Sequence, residues 1–180
     1  MPIFAGDKVI YGKYALIAKK YCRPAHIYDS DQKEDWLLSN FDGKPIASFL
    51  CKKATIDFLY IAAWVGLAED CPVDLSEANK HSGEDVSLLS EAWRTRETKF
   101  LNLWRLMILV DKRSNLSLEE RVAKAYTSYD EKADTDREFA YFLTYAYGGM
   151  LKIDEILSKI QTYDALLIEA KKLCELIENE

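Results

Sequence analysis

Apolar residues recur along this 180-residue chain mostly at spacings of three and four, the signature of helices that bury one face. Ile10, Tyr14, Ile17 and Tyr21 form the first such stripe, and Pro24 ends it by pushing Arg23 out of helical conformation. Asp31 with Glu34 reads as the capped start of a short helix through Trp36 and Leu37, and Asp42-Gly43 as a turn. Pro45 suits the first position of the next helix, which carries Ile46, Phe49 and Leu50 into the run Ala54–Ala68. That run holds fifteen residues with one charge, Asp57, and Pro72 stops it. A bilayer span needs roughly 20 apolar residues and a strand about 5–6, so the run fits neither. Being apolar nearly all round, it predicts a central helix over about residues 45–70, walled in by its neighbours.

Beyond Asp74 and Glu77, which fit a short capped turn, His81-Ser82-Gly83 is a break. From Val86 to Lys112 a second long stripe carries Leu89, Trp93, Phe100, Trp104, Met107 and Ile108. The six polar residues 94–99 interrupt it and mark a hinge or a protrusion. Ser117 and Glu120 have capping-box spacing and launch a helix with Leu118, Val122, Ala125, Tyr126 and Tyr129 expected inward. Thr135 and Glu138 repeat that spacing ahead of Phe139, Phe142, Leu143 and Ala146. Gly148-Gly149 then interrupts, although the stripe resumes in phase at Ile153, Ile156, Leu157 and Ile160 and continues to Ile177. Each glycine costs about 1 kcal/mol in a helix relative to alanine. A helical hairpin over 134–178 or one kinked helix is therefore expected, with another break near Gln161-Thr162. No strand alternation, repeat or low-complexity tract is visible. The fold class is all-α: one domain over residues 1–180, a bundle of about seven helices around the central one.

Composition supports a folded chain, with 49% hydrophobic and 30% charged residues. The charge of −6 is uneven. Residues 1–72 carry 9 basic and 9 acidic side chains, residues 73–113 carry 7 of each, and residues 114–180 carry 8 against 14. An acidic third suits a basic protein partner or simply a solvated helix face, and it argues against nonspecific nucleic-acid binding. Cys22, Cys51, Cys71 and Cys174 follow no regular spacing, and the first residues lack a secretory pattern. Both features point to free thiols in the cytoplasm.

Candidate chemistry is sparse. Cys22, His26, Asp29 and Asp31 share one loop, but the Cys-x3-His spacing is loose for zinc and needs a second pair such as Cys71 and His81. Nothing activates either cysteine toward catalysis. A calcium loop starting at Asp134 would need glycine where Phe139 stands, and neither histidine has the Glu-x-x-His partner of a dimetal bundle. No metal, cofactor or catalytic residue is assigned. Arg94, Arg96, Lys99 and Arg105 interleave with Trp93, Phe100 and Trp104 as in single-strand binders, although Glu91, Glu97 and Asp111 dilute the charge. Tyr141, Tyr145 and Tyr147 cannot share one narrow stripe, so one or two should be exposed as interface anchors, the plain alternative being core packing. With Asp130, Glu131 and Asp134 they are the candidate partner-binding residues. Asp57 must be paired, protonated or at the surface.

The expected function is that of a non-enzymatic intracellular protein binding another protein, the acidic third suiting a basic one: a subunit, a regulator or an immunity-like inhibitor. One alternative is a ligand-binding or enzymatic bundle with an aromatic pocket served by Asp57, His26 or Cys22. The other is a nucleic-acid accessory protein using the basic face of the 86–112 helix. No membrane partner is expected, and self-association stays open.

Overall fold

The structure, a computed structural model, describes residues 3–22, 54–77, 83–127 and 132–159, with the single positions 168 and 171. Among them stand six helices: α1 (Gly12–Tyr21), α2 (Thr55–Ala68), α3 (Ser90–Arg94), α4 (Glu97–Val110), α5 (Leu118–Tyr126) and α6 (Lys132–Ser158). The described residues are mostly helical, as the periodicity requires, with slightly fewer helices among them than the expected seven. None of them is long and apolar enough to cross a membrane. The stripe from Ile160 to Ile177, the break at Gln161-Thr162 and the short helix around Trp36 fall outside the described residues.

One departure is a two-stranded antiparallel ribbon of β1 (Lys8–Tyr11) and β2 (Asp85–Leu88), with Lys8 opposite Leu88 and Tyr11 opposite Asp85. Ile10 and Val86, both expected to be helical, are strand residues. Four residues are too few for alternation to stand out against a helical pattern. Gly12 follows β1 with a φ of 63°, which favours glycine, and turns the chain into α1. The continuous helix from Pro45 is also corrected. Ala54 is extended, with φ −70° and ψ 152°, so α2 begins at Thr55.

The core forms where α2 crosses α6. Phe58, Leu59, Ala62, Ala63 and Val65 of α2 are buried, as are Phe142, Ala146, Met150 and Ile153 of α6. A Cβ on Gly149 would overlap the carbonyl oxygen of Ala62, one on Gly66 that of Tyr145, and one on Gly148 that of Cys71. The two helices therefore meet backbone to backbone, and the segment after α2 lies along α6, with Val73 N–H donating to Thr144 O at 3.0 Å. This close approach explains why α6 keeps its glycines and runs through them without a turn. Dense packing at the crossing offsets their poor helix propensity.

Above the crossing Phe4 sits among Trp93, Phe100, Phe139 and Phe142, with ring centroids 5.1–6.1 Å apart. The polar stretch expected to form a hinge or a protrusion contains a helix break, where Thr95 and Arg96 separate α3 from α4. Thr135 and Glu138, by contrast, do not cap a helix. Both are buried inside α6, where the Thr135 hydroxyl donates to Lys132 O at 2.8 Å. α6 starts one turn earlier than that pair suggests.

Candidate functional site

The capping box forms as its spacing demands. Glu120 N–H donates to Ser117 Oγ at 3.2 Å, and Ser117 N–H to Glu120 Oε2 at 2.7 Å. These bonds hold the Glu120 carboxyl below its ordinary pKa. The helix they start, α5, is rotated from the orientation expected, and Tyr129 of the expected inward face lies outside the described residues. Only Ala125 of its apolar residues is buried, while Leu118 is 62% exposed, Val122 43% and Tyr126 64%. At about 100° per residue these three lie on one stripe, bordered on the solvent side by Glu119.

What holds α5 to the body is largely polar. Arg121 Nη1 donates to Leu109 O at 2.7 Å and Asp111 O at 3.3 Å, satisfying carbonyls that the end of α4 leaves open. Arg105 Nε donates to Ala125 O at 3.2 Å and its guanidinium lies over the Tyr126 ring. Lys124 Nζ stands 3.2 Å from Glu138 Oε2, near enough for ion pairing but off the hydrogen-bond direction, since that oxygen makes no hydrogen bond. Glu138 is 2% exposed, so a carboxylate there needs its cation.

Beside this helix the end of α4 and the following loop build a second feature. α2 and α4 diverge to leave a groove of about 450 Å³ lined by Trp64, Leu67, Ala68, Leu106, Val110 and Tyr145, with Asp70 and Lys112 at its rim. The Tyr145 ring packs edge-on against Tyr141, and its hydroxyl accepts from Arg113. Arg113 also reaches Asp111 at 3.4 Å and Asp70 at 3.6 Å. The Tyr141 hydroxyl donates to Asp111 Oδ2 at 3.0 Å, with Met107 O 3.3 Å away. Burial favours the protonated Asp111 carboxyl, but the Arg113 N–H, the Tyr141 hydroxyl and the Arg113 guanidinium outweigh it and lower the pKa. Burial raises both phenols, Tyr141 strongly, so they are neutral hydrogen-bonding groups.

The candidate tyrosines thus divide. Tyr145 and Tyr147 are each 1% exposed and Tyr141 is half-buried, so none is a free surface anchor. Tyr147 stacks on Tyr14 with ring centroids 3.9 Å apart, and burial pushes its phenol up to about 12. Their spacing does prevent one stripe, but α1, α2 and α4 cover the several faces they occupy. Asp134 stands in the first turn of α6, paired with Arg137 at 3.0 Å, while Asp130 and Glu131 lie outside the described residues.

The basic set is dispersed. Arg96 grips Asp57 through Nε at 2.8 Å and Nη2 at 3.3 Å, which resolves Asp57 as a paired carboxylate that ties α2 to the break before α4. Arg105 is occupied by α5, and only Arg94 and Lys99 of the four are exposed. Neither Cys22 nor Cys71 is in a disulfide. Burial, with Glu69 nearby, raises the Cys71 thiol, the reverse of what a nucleophile needs. Among the described residues no three histidine, cysteine or carboxylate side chains stand together as metal ligands would, and His26, Asp29, Asp31 and His81 lie outside them.

Sequence reasoning misses the outward stripe of α5 and the groove between α2 and α4. A stripe reveals a face but not its neighbour, and the groove residues come from three distant segments. Compared with known protein families, curated proteins and solved structures, the chain matches none.

Proposed function

We propose that this chain is a non-enzymatic intracellular helical protein that binds a protein partner, as a subunit, regulator or immunity-like inhibitor, with α5 as the docking element. One observation carries this reading: the most amphipathic helix described turns Leu118, Val122 and Tyr126 to solvent. Single exposed apolar residues are ordinary, but a contiguous stripe on a capped helix is a feature of interaction sites. Tyrosine with aliphatic neighbours suits the anchor of such a site. Glu119 beside the stripe and the acidic excess of residues 114–180 favour a partner with a basic rim, which would speed association. Unbridged Cys22 and Cys71 fit a reducing compartment.

A photo-crosslinking residue placed at Tyr126 in the native host tests the proposal. It should capture one partner that is lost when Leu118→Glu is added, with the melting temperature of the purified protein unchanged. Capture unaffected by Leu118→Glu, or a Leu118→Glu variant that unfolds, would overturn it.

A further inference from the structure

We propose that the groove between α2 and α4 binds a small apolar monocarboxylate, with its hydrocarbon or aromatic body against Trp64, Leu67, Leu106 and Val110 and its carboxylate at Lys112. This goes beyond the protein-docking reading and stands independently of it, because the groove and the α5 stripe share no residue. The size selects the class of ligand. A groove of about 450 Å³ lies within the roughly 300–1,000 Å³ typical of small-molecule sites.

The walls select an apolar body. Trp64, Leu67 and Ala68 of α2 line it together with Leu106 and Val110 of α4 and Tyr145 of α6. The rim selects the charge. Asp70 is already engaged by Arg113, which also holds Asp111. Lys112, exposed at the rim, has no carboxylate partner among the described residues. A ligand anion therefore gains an available ammonium there, whereas a ligand cation would share Asp70 with Arg113, 3.6 Å away. Arg113 also ties Tyr145, which lines the groove, to Asp111 beside it. Tying down a lining residue beforehand reduces the ordering cost of binding.

Titration calorimetry with decanoate, decanol and decyltrimethylammonium, all below their micelle-forming concentrations, tests the proposal on the full chain. Decanoate should saturate one site, decanol should bind more weakly, and decyltrimethylammonium weakest. Lys112→Gln should weaken decanoate about threefold to fivefold, the range an exposed ion pair supplies, and leave decanol unchanged. Val110 is 44% exposed and tolerates polar replacement, so Val110→Glu should weaken decanoate further and Val110→Lys should tighten it. Absence of saturation, equal affinity for the three head groups, or indifference to both charge variants would overturn the proposal. Loss of partner capture at Tyr126 would leave these results unaffected, so the two readings fail separately.

Discussion

α6 and α5 are both amphipathic, and they use their apolar faces in opposite ways. α6 presses Phe142, Ala146 and Gly149 against α2 so closely that backbones touch, and even its Thr135 and Glu138 are buried. α5 directs Arg121 and Lys124 toward the body and leaves Leu118, Val122 and Tyr126 in water. Hydrophobic burial holds the first, while hydrogen bonds to the open carbonyls of α4 hold the second. A helix with the second arrangement is stable in place and still has its hydrophobic surface to cover. The difference separates residues that maintain the fold from residues available for something else.

The largest expected effect lies at the crossing. Gly149→Ala should cost about 1–3 kcal/mol in urea unfolding, because a carbonyl oxygen cannot yield as a side chain can. Were the helices farther apart, the same change would stabilise α6 by about 1 kcal/mol, so the sign alone decides.

A smaller effect comes from Tyr147 on the same buried side. Its pKa is raised from an ordinary value of about 10 to about 12, so its contribution is complete below pH 10 and is lost as the pH rises from there through about 12. Stability measured between pH 9 and 12 should fall more steeply in the parent than in Tyr147→Phe. Equal slopes would place the phenol in contact with water.

The local features of both regions are legible in the sequence. The all-α class, the Ser117–Glu120 cap and the interruption among residues 94–99 follow from local spacing, which acts within a turn or two of helix. Gly148-Gly149 stands out too, but as a break, because the surface that requires glycine there is supplied by Ala62 and Cys71 far away in the chain. Distance in sequence hides the other features as well. The partner of each strand lies on the far side of α2, the cation for Asp57 is Arg96, and the groove joins Trp64 to Val110 and Tyr145. For α5 the period of Leu118, Val122 and Tyr126 is plain in the sequence and its direction is not. Direction depends on whether α4 offers that helix an apolar surface or open carbonyls, and it offers carbonyls.

The outward stripe is tested most directly by the reactivity of a thiol placed in its centre. In Val122→Cys, the new thiol should react with a disulfide reagent in the folded, unbound protein at close to the rate of a free peptide cysteine, beyond any reaction of the parent's own thiols. A thiol that stays protected until denaturant is added would show the stripe covered within the chain itself, and α5 could not then be the exposed docking helix.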